Sequence, residues 1–126
     1  MKLIIAGGRD FNDFDLLEKE TRLWLRELGV KSADDVEVVS GCASGADKLG
    51  EDFAQFHHCQ IKRFHANWLV HGKSAGPIRN LRMAEYATHC ICFWDGQSRG
   101  TKNMIDTAIK RGLELRVVNY SPILST

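Results

Sequence analysis

The sequence predicts a three-layer αβα fold built on a five-stranded parallel sheet, and three observations carry that prediction. Apolar runs of strand length alternate with stretches of helical periodicity along the whole 126-residue chain, the pattern of repeated βαβ units. Two runs, Leu3-Ile4-Ile5-Ala6 and Ile91-Cys92-Phe93-Trp94, are continuously apolar, as strands covered on both faces must be. Three glycine-rich turns each follow an apolar run and open a helical stretch: Gly7-Gly8-Arg9-Asp10-Phe11, Ser40-Gly41-Cys42-Ala43-Ser44-Gly45-Ala46-Asp47, and Asp95-Gly96-Gln97-Ser98-Arg99-Gly100-Thr101.

The first strand is Lys2–Ala6. The first helix is Phe14–Leu28, with Leu17, Thr21, Trp24 and Leu28 at helical spacing, Asn12 or Asp13 as cap and Gly29 as stop. Val36–Ser40 is the second strand. Gly45–His57 is the second helix, with Leu49, Phe53 and Phe56 on one face. Gln60–Phe64 forms the third strand, and a long loop runs from His65 to Gly76. Pro77–Ala87 is the next helix, its proline at the first position, where a missing N–H costs nothing. His89–Trp94 is the fourth strand. Thr101–Arg111 is a helix with Met104, Ile105, Ala108 and Ile109 apolar and Gly112 as stop, and Glu114–Tyr120 is the last strand.

Strand polarity orders the sheet. The two continuously apolar strands belong at its centre, and Gln60-Ile61-Lys62-Arg63-Phe64, the most polar, belongs at an edge. The order 3-2-1-4-5 satisfies both and is Rossmann-like. Ligands of such sheets bind beyond the strand C-termini where the order reverses, here between the first and fourth strands. The Gly7–Asp10 and Asp95–Thr101 turns flank that crevice.

Composition bounds the rest. The chain has the length of one domain spanning residues 1–126, with 44% apolar and 26% charged residues, the balance of an ordinary globular protein. No apolar run approaches the roughly 20 residues of a membrane span, and Lys2 is followed by four apolar residues and a Gly-Gly turn, not by a signal peptide. These features point to a cytoplasmic protein with no membrane partner. Cys42, Cys59, Cys90 and Cys92 lie in or beside predicted strands and read as small buried hydrophobes. Metal ligation by His89, Cys90 and Cys92 with His57, His58 and Cys59 is disfavoured, because Cys-x-Cys lacks zinc-site spacing and has no second pair. No metal and no cofactor are expected.

The glycine-rich turns point to an anion. Glycine lets backbone approach a ligand closely, and a helix N-terminus offers free N–H groups and partial positive charge. Ser44 and Asp47 have the spacing of a capping box, which leaves the bracketing Gly41 and Gly45 to be explained by a ligand. Asp47 could also hold a ribose hydroxyl. Six cations, Arg9, Lys48, Arg79, Arg82, Arg99 and Lys102, fall near helix starts, where they oppose the dipole unless an anion is bound. The candidate ligand-binding set is Gly7, Gly8, Arg9, Asp10, Gly41, Ser44, Gly45, Asp47, Arg79, Asn80, Asp95, Ser98, Arg99, Gly100 and Thr101. Gly45 is expected to open onto the phosphate and Arg79 to be dispensable for stability. Trp68, in the long loop with His65 and His71, could stack on a base or pack over the sheet edge. The first turn is not Gly-x-Gly-x-x-Gly, no Walker loop is present, and neither Ser44 nor Ser98 has an evident paired histidine.

Three segments resemble a known family. Ser-Gly-x-Ala-x-Gly-Ala-Asp at Ser40–Asp47, Gly-Pro-Ile-Arg-Asn-x-x-Met at Gly76–Met83 and Phe-Trp-Asp-Gly-x-Ser-Arg-Gly-Thr at Phe93–Thr101 are similar to the YspA-type, cpYpsA-related branch of the SLOG superfamily, which also covers Smf/DprA and LOG proteins. The resemblance begins at Gly7-Gly8-Arg9-Asp10-Phe11 and spans nearly the whole chain. It implies a Rossmann-like fold and a nucleotide-derived ligand. LOG enzymes are phosphoribohydrolases with an Arg-Lys-x-x-Met segment, similar to Arg79-Asn80-x-x-Met83, so the arginine role carries to Arg79. Their Pro-Gly-Gly-x-Gly-Thr-x-x-Glu segment is similar to Ser98–Thr101, but its glutamate position falls on Met104, which cannot act as acid or base.

The expected function is binding of a phosphate-bearing nucleotide or ADP-ribose-like ligand, as a sensor or sequestering module. One alternative is an N-glycosidic hydrolase with a relocated carboxylate, its candidates being Asp10, Asp47 and Asp95. Another is single-stranded nucleic-acid binding as in Smf/DprA relatives, against which the net charge of +1 and the small size weigh. Apolar helix faces leave room for a homodimer.

Overall fold

The computed structural model describes residues 1–121. Strands β1 (Lys2–Gly7), β2 (Glu37–Ser40), β3 (Gln60–Arg63), β4 (His89–Trp94) and β5 (Glu114–Asn119) form one sheet in the order β3-β2-β1-β4-β5. Every neighbouring pair is parallel. The central pair runs in register from Leu3 opposite His89 to Gly7 opposite Phe93. The expected topology is therefore the observed one, with the continuously apolar strands at the centre and the polar β3 at an edge.

Helices α1 (Phe14–Glu27) and α2 (Ala46–His57) cover one face, and α4 (Ala75–Tyr86) and α5 (Arg99–Lys110) cover the other. The alternation of side chains along a strand sorts the core into two halves. Leu3, Ile5, Val38, Ile91 and Phe93 pack against Leu17, Trp24, Phe53 and Ala54. Ile4, Ala6, Val39, Cys90 and Cys92 pack against Met83, Ala84, Met104, Ile105 and Ala108. Asp13 caps α1, accepting from Leu16 N at 3.0 Å. Gly29 follows it with φ of +80°, a left-handed stop that favours glycine. No described helix is long and apolar enough to cross a membrane.

Three details depart from the sequence reading. The long loop after β3 contains a short helix, α3 (Trp68–His71), and a 3-10 turn over Gly72–Ser74. Asn67 nucleates α3 by accepting from Val70 N at 3.2 Å, and the 3-10 turn runs directly into α4. Pro77 is thus the third residue of α4, still within the first turn, where no partner exists for its missing N–H. Phe56 and Ile109 are 69% and 61% exposed instead of joining the core. Each lies on the flank of a helix whose facing residues, Phe53 in α2 and Ile105 with Ala108 in α5, already cover the sheet.

Candidate functional site

A cleft of about 530 Å³ opens beyond the C-terminal ends of β1 and β4, at the switch point of the sheet. Of the residues chosen from sequence, Gly7, Gly8, Arg9, Asp10, Asp47, Arg79, Asn80, Ser98, Arg99, Gly100 and Thr101 line it. Gly41 and Ser44 line an adjoining hollow of about 320 Å³, which shares Arg9, Ala43, Trp68 and Arg79 with the cleft. Gly45 and Asp95 line neither.

The glycines of the first two turns serve the protein's own packing before any ligand. Gly8 N donates to Phe93 O at 3.1 Å, and Gly8 O accepts from Ala46 N at 3.1 Å and Phe11 N at 3.2 Å. This sews the β1–α1 turn to β4 on one side and to the start of α2 on the other. A Cβ on Gly45 would stand 2.2 Å from Gly8 O and 2.6 Å from the Arg9 carbonyl, and Gly45 has φ of +75°. The expectation that Gly45 opens onto a phosphate is therefore corrected: its missing side chain makes room for the Gly8–Arg9 backbone. The capping box is not formed either. Gly45 is the cap residue of α2 and supplies no side-chain hydrogen bond. Ser44 Oγ donates to Arg9 O at 3.4 Å, and Asp47 Oδ2 accepts from Ala43 N at 3.1 Å.

The start of α5 has the opposite character. Ser98 caps it, its Oγ accepting from Thr101 N at 3.4 Å and lying 3.0 Å from Thr101 Oγ1. Asp95 Oδ1 accepts from Gln97 N and Ser98 N, both at 2.8 Å. These two backbone bonds hold its carboxyl below the usual carboxylate range, so Asp95 shapes the turn from outside the cleft. A Cβ on Gly100 would meet nothing within 4 Å. Among the described residues, Arg99 N and Gly100 N have no acceptor.

The charges separate into those that face the cleft and those that do not. Lys48 pairs with Asp52 at 2.9 Å and Lys102 with Asp106 at 2.8 Å along their own helices, on exposed surface. Arg82 is exposed and lines neither hollow. Arg9, Lys73 and Arg99 are exposed cations of the cleft wall, and among the described residues none has an acidic partner at salt-bridge distance. Arg9 lies over the Trp68 ring, 5.6 Å from its centroid.

Arg79 is the fifth residue of α4, past the first turn, so it does not oppose the helix dipole as expected. It is half-buried and donates from Nη1 to Gly41 O at 2.9 Å and from Nε to Asn80 Oδ1 at 3.3 Å. It ties α4 to the β2–α2 turn, a structural role the sequence reading missed. Asn80 spends its amide on Asn103 Oδ1 at 3.0 Å and Gly100 O at 3.5 Å, bracing α4 against α5.

The carboxylates also part company. Asp10 is exposed and accepts from Tyr120 O–H at 2.8 Å. Burial, then that bond to Asp10, pushes the Tyr120 hydroxyl well above its ordinary range. Asp47 is 5% exposed at the cleft floor. Burial raises its pKa from 3.8 to about 6, against the lowering effects of the Ala43 N–H and of the Arg79 and Arg9 charges. Its Oδ2 is held by Ala43 N, while its Oδ1 has no partner among the described residues. The described residues contain one fully enclosed side-chain polar atom without a partner, the Thr21 hydroxyl, so Asp47 Oδ1 is not fully enclosed.

Sequence reasoning did not single out Lys73 or Asn103, both of which line the cleft. Asn103 sits one helical turn after Gly100 and carried no signal of its own, whereas Lys73 comes to the rim through the unforeseen turn before α4. Trp68 is half-exposed on the rim, with Gly76 beneath its ring. Cys42, read as a buried hydrophobe, is a partly exposed turn residue beside β2 with φ of +64°, its Sγ 3.8 Å from His65 Nε2; burial and the nearby Glu51 push its thiol up. Met104 lies buried beside the cleft. Among the described residues, no group of three or more His, Cys, Asp or Glu could hold a metal ion.

This architecture has relatives. The chain is similar to the Gene 61 protein of Mycobacterium phage D29, 30% identical over 127 residues that cover 94% of this chain and 95% of that one. Its fold matches the X-ray structure of DNA processing protein A (DprA) from Streptococcus pneumoniae with a TM-score of 0.71 at 16% identity. That match covers 95% of this chain but 50% of DprA, so the chain spans half the length of that structure. Residues 1–71, which contain the first two glycine-rich turns, match the model of the YspA, cpYpsA-related SLOG family, while the Gly76–Met83 and Phe93–Thr101 segments lie beyond the matched stretch. The chain belongs to the YspA, cpYpsA-related SLOG family.

Proposed function

We propose that the protein binds a phosphate-bearing nucleotide or ADP-ribose-like ligand in the cleft between β1 and β4, as a sensor or sequestering module. One observation carries this reading: Arg9, Lys73 and Arg99, cations without acidic partners among the described residues, line the same cleft as an open helix start at Gly100. An anion there would receive the free Arg99 and Gly100 N–H groups and the positive end of the α5 dipole. The ligand's phosphate belongs at α5 and not at α2. The first N–H of α2 is taken by Gly8 O, and the Asp47 carboxylate in its first turn repels an anion. Trp68 supplies an apolar rim against which a base can lie.

The test is mass spectrometry of small molecules released from the purified protein by denaturation, followed by calorimetric titration with the four nucleoside 5′-monophosphates and ADP-ribose. Saturable one-to-one binding supports the reading, and silence across the whole panel at millimolar ligand refutes it. Binding that instead grows with oligonucleotide length and falls steeply with salt would favour nucleic acid.

A second reading, N-glycosidic hydrolysis, is favoured by Asp47. Asp95 is committed to its turn and Asp10 to Tyr120, whereas Asp47 is a buried cleft carboxyl whose pKa of about 6 suits proton transfer near neutrality. Chromatographic detection of base released from the same panel, and its loss in Asp47→Asn, would establish turnover.

A further inference from the structure

We infer that Asp47 is the specificity-determining residue for the ligand's sugar: its free Oδ1 accepts a ribose hydroxyl, so the cleft selects ribonucleotides over their deoxy counterparts. The inference rests on the binding reading above and deepens it. Asp47 is 5% exposed and lines the cleft, yet its Oδ1 has no donor among the described residues and is not fully enclosed. Its surroundings hold it in that pose. Ala43 N fixes Oδ2 at 3.1 Å, and Gly41 leaves no Cβ where one would stand 2.8 Å from Oδ2. Arg79 is anchored by Nη1 on Gly41 O and Nε on Asn80 Oδ1 and forms no ion pair with Asp47. Oδ1 is not fully enclosed, but it belongs to a side chain that is almost wholly buried, where a hydrogen bond from a ligand counts for more than on open surface.

The partner must donate. A carboxylate oxygen accepts hydrogen bonds and repels phosphate, so it faces a neutral donor of the ligand. The phosphate end is set by the α5 start, and Asp47 lines the same cleft as that start. The ligand group adjoining a phosphate is the sugar, with its hydroxyls, and not the amino group at the far edge of a base. A site built to bind a hydroxyl rejects the analogue lacking it, because its own acceptor is then left bare.

The test compares the tightest ribonucleotide from the panel above with its 2′-deoxy form, its 3′-deoxy form and the form lacking the base's exocyclic amine. Each is titrated into the wild type, Asp47→Ala and Asp47→Asn, with melting temperatures recorded to show that the variants are folded. The wild type is expected to bind at least one deoxy form about 10- to 100-fold more weakly, the worth of one hydrogen bond to a charged group. Asp47→Ala should bind the ribonucleotide with a similar loss and no longer discriminate. Asp47→Asn, which keeps a neutral acceptor and the shape, should fall between them and stands in if the alanine variant does not fold. Equal affinity for all three sugars, discrimination that survives in Asp47→Ala, or a loss confined to the amine-lacking form each overturns the inference while leaving nucleotide binding intact. Silence of every probe, the ribonucleotides included, overturns the binding reading and this inference with it.

Discussion

Asp47→Asn should make the free protein more stable near neutral pH, by an amount that shrinks as the solution is acidified. The carboxyl has a pKa of about 6 in the fold and 3.8 outside it, because burial disfavours its charge. The folded state therefore binds this proton more tightly than the unfolded state, and stability falls as pH rises from 3.8 through 6. The difference of about 2.2 units is worth about 3 kcal/mol in full. Integrated over an accessible range, the wild type gains about 1.4 kcal/mol on going from about pH 7.5 to about pH 5 through this group alone. The asparagine variant has no such group, and its oxygen can still accept from Ala43 N. Its advantage over the wild type should thus drop by about 1.4 kcal/mol between those two pH values, whatever the offset from packing. Paired urea titrations followed by tryptophan fluorescence measure the difference, and titrations common to both proteins cancel in it. A stability difference independent of pH, or one that grows on acidification, would refute the assignment of Asp47 as a buried charge held against its preference.

Other positions answer to simpler measurements. Gly45→Ala should lower stability by about 2–4 kcal/mol, since a Cβ would press on the Gly8–Arg9 backbone at a φ that disfavours side chains; an unchanged melting temperature would show that the turn has room to move. Arg79→Ala should cost about 1–3 kcal/mol, because Gly41 O loses a charged donor and Asp47 loses a nearby cation; a variant as stable as the wild type would return Arg79 to a purely ligand-facing role. Arg99→Glu should weaken nucleotide binding by at least about 10-fold in calorimetry while moving stability by less than about 0.5 kcal/mol, as befits an exposed residue without an acidic partner.

The strands were legible because burial on both faces leaves a compositional trace: Leu3–Ala6 and Ile91–Trp94 have no polar member, and Gln60–Arg63 alternates little and is mostly charged or polar. The turns around the site were legible for a related reason, since Gly7 and Gly8 must lack side chains where Phe93 O and the Tyr120 hydroxyl come close. What glycine could not reveal is which neighbour comes close. At Gly45 the neighbour is the chain's own Gly8–Arg9 backbone, whereas at Gly100 it is open space. The same holds for cations. Lys48 and Lys102 each pair with the aspartate four residues on along their own helix, a spacing already present in the sequence, whereas only the tertiary arrangement decides that Arg99 lines the cleft and Arg82 does not.

The sequence by itself determined the layers, the strand order and the edge of the sheet at which the turns gather, because those follow from periodicity and burial, which are local properties of the chain. Only the tertiary structure decided what the polar residues do. Whether Asp47 is a helix cap or a buried acceptor, and whether Arg79 serves a ligand or the β2–α2 turn, depends on atoms 4 to 38 residues away in sequence that meet across helices and turns. Hydrogen bonds and desolvation act over a few ångströms of space, and spacing along the chain carries no record of them once the fold brings distant segments together.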